Sequence, residues 1–553
     1  MSSDAQMSAF ANTARFHLSA LLADAAARKG DHPAVEDERG RQINYAELLY
    51  GAECVASSLT RFGVRHGDRV GLWLPKSLES VTAIHGILRA GASYVPVDPT
   101  GPAGRAAGIL STSAVKGVVV ARELVGPLRG AWPADHPLPP LFVVENEKDG
   151  SVDVGAKASD IKSFTEGEVS WAEIAANPAP APATGPFAPD DLAYILFTSG
   201  STGQPKGVML SHANAFTFLE WCQQALGPWE EGDRFSSHAP FHFDLSVFDL
   251  FVACQNAATL VLIGETLGKD PVRLGDFLAE RSINVWYSAP SILSLLAEHG
   301  GIDRPGFRAP RLVLFAGEAF PIVPLSRLRA AWPSAAMWNL YGPTETNVCT
   351  AFRIPERFLD DQTEPFPIGS VCPPLLARAV DEHGREVSGS ARGELQIAGP
   401  GVMRGYFGQP ELTAAAFAVD GDGTRWYRTG DLVTDLGGGC FQFHGRRDRM
   451  VKKRGYRIEL GEIETALYQY DGVDRAGVVA QSHESGVTIA AFVALKPDRK
   501  RSIIAMKRHC TDYLPNYMIP DTITFLDRMP ATSTDKVDYQ RLSTMAAEKG
   551  PRS

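Results

Sequence analysis

The strongest constraint on the fold is a series of short apolar runs: VGLWL at 70–74, GVVVA at 117–121, AYILF at 193–197, TLVLI at 259–263 and LVLF at 312–315. None of them alternates with polar residues, so strands built from them must be covered on both faces. Helical spacing between the runs supplies the cover, which predicts βαβ units and mostly parallel sheets over 69–121 and again over 192–340. The segment ARAVDEHGREVSGSARGELQIAGPGVMRGYF at 377–407 changes to short strands and glycine turns, as expected for a small β-barrel-like subdomain. After GRRDRM at 445–450 a further α+β module of about 100 residues begins. The class is therefore α/β, with a large N-terminal domain of two βαβ-type subdomains plus the small β subdomain over 1–447, and a C-terminal domain over 448–553. The stretch from Glu145 to Gly185, rich in Ala, Pro, Gly and acids, reads as a long surface connection.

Composition narrows the function. The net charge of −10 carries no long single-sign block, which argues against nucleic acid as the main partner. Seven scattered cysteines without a CxxC pair read as reduced structural thiols of a cytoplasmic protein. The N-terminus lacks the pattern of a secretory signal, and no apolar run approaches the ~20 residues that span a bilayer, so no membrane partner is expected.

Chemistry concentrates in TSGSTGQPKG at 198–207, directly after an apolar strand. Its hydroxyls and glycine-flanked backbone N–H groups suit phosphate oxygens, and Lys206 adds a mobile cation. It is not a Walker A loop, whose spacing and Ser/Thr after the lysine differ. A second oddity is HAPFHFDLSVFDL at 238–250, where Asp244 sits in an apolar run. A carboxylate buried there without a partner would be costly.

Taken in order, RAGASYVPVDP, SGSTGQPKG, FDLS, LYGPTET, GELQIAGPGVMRGY, YRTGD, GRRDRMVKKRGYRIELGEIE, LPNYMIP and the lysine of TDKVDYQ resemble the adenylate-forming superfamily, which includes acyl-CoA ligases, luciferases and peptide-synthetase adenylation domains. The resemblance covers almost the whole chain and implies ATP and Mg²⁺ as cofactors. It implies that Thr198, Ser199, Gly200, Ser201, Thr202, Gly203 and Lys206 contact phosphates. Thr344 and Glu345 would lie on the γ-phosphate side, with Glu345 on the metal, Gly342 in the same loop, and Gly317, Glu318, Asn339 and Tyr341 around adenine. Asp431 would hold the ribose hydroxyls, with Arg446 in the hinge region. Lys536 matches the lysine that stabilises charge at the α-phosphate, although Thr534 and Asp535 stand where Asn and Gly are usual. Asp448 matches the hinge of a mobile small domain, whose rotation withdraws Lys536 and brings Lys453 to Tyr456 toward the acyl-adenylate.

Asp244 falls where amino-acid-activating members pair the substrate's ammonium, and the same resemblance makes Leu245, Phe248, Tyr287, Leu314, Ala316, Leu340, Val348 and Cys349 the acid-binding pocket, closed by Lys536. Apart from Asp244 and Lys536 this lining offers no charge, so a small apolar amino acid is expected. The set is similar to that of stand-alone L-prolyl-AMP ligases, which load L-proline onto a separate peptidyl carrier protein ahead of pyrrole formation in natural-product (antibiotic, nonribosomal peptide) biosynthesis. D-alanine or another small amino acid, an acyl- or aryl-CoA ligase, and a catalytically silent scaffold are the alternatives. The last is disfavoured by intact Lys206, Glu345, Asp431 and Lys536. With 17 residues after Lys536 and no phosphopantetheine serine motif, the carrier is expected in trans, with Lys500, Arg501, Lys507 and Arg508 as a candidate docking surface.

Overall fold

The computed structural model describes residues 17–145, 167–176, 187–200, 205–230, 232–359, 362–483, 486–496, 499–531 and 537–549. Its first sheet has eight strands, in the order Gly405–Tyr406, Lys206–Ser211, Leu192–Thr198, Ser93–Pro96, Arg69–Trp73, Gly117–Ala121, Leu141–Val144 and Glu168–Ser170. From Leu192–Thr198 to Glu168–Ser170 every pairing is parallel. Leu192–Thr198 also forms an antiparallel hairpin with Lys206–Ser211, which places Thr198 opposite Lys206 at the mouth of the glycine-rich loop.

The second sheet is larger. Its parallel part brings together Pro33–Glu36, Thr259–Leu262, Arg234–Ser237, Val285–Ser288, Leu312–Phe315 and Ala336–Tyr341. The carboxyl ends of four of these strands run into HAPFHFDLS, SAPS, AGEAF and YGPTET. Parallel pairing forces those four loops to one edge, the place where open α/β sheets hold ligands. The core between the two sheets contains Tyr94, Tyr194, Phe248, Tyr287, Leu314 and Leu340, so one wall of that edge is part of the main hydrophobic core.

Two sequence expectations change. The 145–185 connection is structured at 167–176: Glu168–Ser170 adds a parallel edge strand to the first sheet, and Trp171–Ala175 is helical. A reciprocal capping box between Ser170 and Glu173 starts that helix, and Val169 and Ile174 are buried. The cue was the S-x-x-E spacing, masked by the surrounding Ala/Pro composition. The small β subdomain, in turn, is not separate in hydrogen bonding. Its strands Leu376–Val380, Gly389–Ala398, Arg425–Asp435 and Cys440–Arg446 join the second sheet where Cys440–Arg446 pairs with Gly369–Val371.

After Arg446 the chain forms the hairpin Met450–Lys453 and Tyr456–Glu459, the helix Leu460–Tyr468, and a three-stranded sheet of Val473–His483, Gly486–Leu495 and Thr522–Leu526. Helices Leu460–Tyr468 and Ile503–Tyr513 contribute Ile463, Leu467, Met506 and Cys510 to a core cluster distinct from that of the large domain. The hairpin turns on Arg454 and Gly455 with φ of 54° and 80°. Positive φ at both central residues is what a tight hairpin turn requires, and glycine supplies it without strain.

Candidate functional site

The four loop ends and the 450–459 hairpin border a cleft that opens to solvent. Asp244, Leu245, Tyr287, Ala316 and Val348 line one side of it. Asp244 opens a short helical turn yet makes no side-chain capping bond. Ser246 supplies the local bond instead, its hydroxyl donating to the Phe243 carbonyl at 2.6 Å. Asp244 is thereby free to face the cleft. Burial raises its carboxyl above the usual range, while the Thr344 hydroxyl and the Lys452 ammonium work against that rise and Glu345 adds to it. Phe248 does not line the cleft. It is 1% exposed and meets the Tyr287 ring edge-on at 5.4 Å, holding Tyr287 from behind. Leu314, Leu340 and Cys349 are buried in the same core layer behind the lining.

The phosphate side is built around Glu345, which is 0% exposed. Tyr406 donates to its Oε1 at 2.7 Å, Lys206 Nζ lies 3.2 Å from the same oxygen, and Arg457 Nη1 is 3.0 Å from Oε2. Burial would raise this carboxyl, but Arg457, Lys206 and Tyr406 together hold it far below the usual carboxylate range. Thr198 and Thr344 line the cleft, and Thr198 Oγ1 is buried without a hydrogen-bond partner. Ser199 donates to the Arg457 carbonyl at 2.9 Å, and Gly200 supplies a backbone bond to Glu462. Ser201, Thr202, Gly203 and Lys536 lie outside the described residues. Gly342 has a steric reason in this loop: a Cβ there would stand 1.6 Å from the Asn347 carbonyl oxygen.

Opposite, Asp431 is 2% exposed and shared between two donors, Arg446 Nη1 at 2.6 Å and the Tyr341 hydroxyl. Arg446 also grips Asp448 with two bonds, at 2.7 and 2.6 Å, so one guanidinium ties the expected ribose acid to the expected hinge. Burial favours the neutral form of Asp448, yet Arg446 outweighs it and holds the carboxyl below its ordinary value. Asn339 donates to the Pro367 carbonyl at 2.9 Å. Gly317 has φ +95° and lies against Gly455, whose N–H donates to Glu318 Oε1 at 2.9 Å.

The hairpin brings in residues that sequence reasoning missed. Lys452 lines the cleft, 5.5 Å from the Tyr341 ring centroid, and burial lowers its pKa. Lys453, the residue expected there, instead pairs with Asp521 at 2.7 Å. Lys452 is opposite Arg457 across the hairpin, so the two share a face, and the period of two in VKKR was the available signal. Tyr406 and Arg105 had no local signal. Tyr406 reaches Glu345 across 61 residues, and Arg105 lines the cleft while pairing with Glu462 of the small domain.

Comparison with known proteins decides the family. Residues 22–407 match the family model "AMP-binding enzyme", and 462–536 match "AMP-binding enzyme C-terminal domain". The chain belongs to the AMP-binding enzyme family. This AMP-binding enzyme is 37% identical over 517 residues to an L-proline--[L-prolyl-carrier protein] ligase of Pseudomonas fluorescens, covering 93% of this chain and 96% of that one. A protein of the same name from Streptomyces coelicolor is 36% identical over 508 residues, covering 90% and 91%. The crystal structure of IdnL1 superposes with a TM-score of 0.75 at 29% identity, covering 93% of this chain and 99% of that one. The Vibrio cholerae adenylation domain AlmE, solved with glycyl-adenosine-5'-phosphate, shares the fold with a TM-score of 0.79 at 23% identity, covering 96% and 98%. The protein is an ATP-dependent adenylating ligase of the adenylate-forming superfamily, a family that uses ATP and Mg²⁺. Among the described residues no helix is long and apolar enough to cross a membrane.

Proposed function

We propose that this enzyme forms L-prolyl-AMP from L-proline and ATP, then transfers the prolyl group to the phosphopantetheine thiol of a separate peptidyl carrier protein. The observation that carries the reading is Asp244, raised by burial and facing a cleft whose adjoining wall is Leu245, Tyr287, Ala316 and Val348. A carboxylate in that setting favours a cationic partner, and the ring ammonium of proline offers two N–H donors beside an apolar body. The names of the Pseudomonas and Streptomyces relatives point the same way.

The residues fit the nucleotide. Asp431, buried between Arg446 and Tyr341, suits two vicinal hydroxyls, and Thr198 offers an unpartnered hydroxyl on the phosphate side. Glu345 suits Mg²⁺ as a buried carboxylate, although Arg457 now occupies its Oε2. When bound, Mg²⁺ neutralises charge on the departing diphosphate. Lys206 would hold the phosphates, and Lys536 would stabilise the α-phosphate while the proline carboxylate attacks it. We assign the described arrangement to the second half-reaction, because the hairpin seats Arg457 on Glu345 and Tyr456 in the cleft. The large domain over 1–447 and the small one over 448–553 would exchange these arrangements about Asp448.

Amino-acid-dependent exchange of labelled pyrophosphate into ATP, screened over small amino acids and plain carboxylic acids, tests the reading. Exchange should be strongest with L-proline. Strong exchange with benzoate or a fatty acid and none with proline would overturn it, and a preference for D-alanine would move the substrate without moving the chemistry.

A further inference from the structure

One end of the cleft lies apart from the residues that the proposed function gives to the nucleotide and to the amino group. His242 and Arg105 line it from the large domain, Tyr456 and Tyr517 from the small one. Tyr517 stacks on Tyr456 at 3.8 Å, Tyr456 meets Phe243 edge-on at 4.7 Å, and Phe243 meets His242 at 5.1 Å. This aromatic run leads from the small domain to the wall that carries Asp244, two residues beyond His242. His242 Nε2 is buried and has no hydrogen-bond partner. His242 borders the cleft while its Nε2 lies buried beside it; a ring nitrogen left unpaired there makes no hydrogen bond that holds a fold element in place, but it can take part in chemistry at the cleft.

The surroundings keep the imidazole neutral. Burial lowers its pKa most, Lys76 and Arg105 push in the same direction, and Asp98 and Glu265 oppose them. A neutral ring retains a lone pair to accept a proton.

We propose that His242 is a catalytic base of the second half-reaction, taking the proton of the incoming thiol at Nε2. The inference rests on the reading of the chain as a ligase that passes its acyl group to a thiol. In the step, sulfur bonds to the acyl carbon, the carbon–oxygen bond to the phosphate breaks, AMP leaves with the electron pair, and the thiol proton passes to His242. A thiol with an ordinary pKa near ~8.5 is mostly protonated at neutral pH, and only the thiolate attacks well. A positioned base contributes roughly 10²–10⁴-fold to such a step.

The test uses full-length enzyme loaded with labelled prolyl-AMP and chased with pantetheine in single turnover. His242→Ala should slow thioester formation at least ~10²-fold at pH 7, with a far smaller change in proline-dependent pyrophosphate exchange. Added imidazole should restore part of the rate. The rate of the variant should climb about tenfold per pH unit toward the thiol pKa, while that of the wild type levels off earlier. If His242→Ala fails to fold, His242→Gln fills similar space without a basic nitrogen and should show the same transfer defect. Wild-type transfer rates in either folded variant, equal losses in exchange and transfer, or no response to imidazole would overturn the assignment. Failure of wild-type enzyme to exchange with proline would instead sink the substrate reading, and the same chase with whichever acid is activated still tests His242.

Discussion

Replacing Asp244 by Asn keeps the shape of the side chain and removes its charge. Asp244 already sits where burial disfavours a carboxylate, with Thr344 and Lys452 as its described compensation. In the proposed complex the ammonium of the substrate is desolvated against this group, so Asp244→Asn leaves a buried cation without its partner. Breaking a buried ion pair by removing one member costs about 3–5 kcal/mol. At ~1.4 kcal/mol per tenfold, that is a loss of roughly 10²–10³·⁵ in kcat/KM for proline. The assay is pyrophosphate exchange against proline concentration, with ATP saturating and then varied. KM for ATP should stay within about twofold, because the proposed function gives Asp244, a residue of the cleft lining, to the amino acid and not to the nucleotide. A second arm uses cyclopentanecarboxylic acid, which has the ring without the ammonium. The wild type should reject it, leaving Asp244 unpaired, and Asp244→Asn should narrow the discrimination by the same factor. A fall of less than about tenfold for proline, or unchanged discrimination between the two acids, would refute the reasoning.

Other outcomes follow from the packing. Gly342→Ala forces a methyl to within 1.6 Å of the Asn347 carbonyl oxygen, so the YGPTET loop must move. Activity should fall by at least ~10²-fold with a lowered Tm, and a fully active variant in a thermal-shift and exchange assay would show that the loop relaxes freely. Arg457→Ala removes the cation on Glu345 Oε2 and the tie of the hairpin to YGPTET. Amide hydrogen exchange over 450–459 should then accelerate, and unchanged protection would place the docking energy elsewhere. Acid stability should decline from pH 7 to 5. Burial lowers His85 to about 4 and His17 to about 3, aided at His17 by His66. Below the unfolded value of ~6.5 the unfolded chain binds protons that these folded histidines refuse, so stability is lost as pH falls from 6.5 toward the folded values. Over the ~1.5 units from 6.5 to 5 this reaches about 2 kcal/mol per histidine as an upper bound. Urea titrations of wild type and His85→Leu at both pH values should show a shallower pH dependence in the variant; equal slopes would rule out the His85 contribution.

Much of the fold could be read locally, because uninterrupted apolar runs must be covered on both faces and helical spacing between them leaves few alternatives to parallel α/β sheets. The glycine-rich loop after LAYILFT, the acid in FHFDLS and the glycine of YGPTET likewise announce themselves within a few residues. Depth is a different matter. Sequence spacing does not distinguish Leu245, Tyr287 and Val348, which meet the cleft, from Phe248, Leu314, Leu340 and Cys349, which stand one layer behind. That distinction arises only where strands from distant parts of the chain converge at one sheet edge. Pairing across the chain is equally invisible from within a motif. Glu345 shows no sign of Arg457, 112 residues away, yet that guanidinium together with Lys206 and Tyr406 fixes its charge. Lys452 and Lys453 are adjacent and chemically alike, but the strand sends one to the cleft and the other to Asp521. The sequence by itself determined which chemical groups the enzyme carries and the strands that hold them. Only the tertiary structure decided which of them share a cavity and which neutralise one another, because burial and Coulomb interaction depend on distance in space and not along the chain.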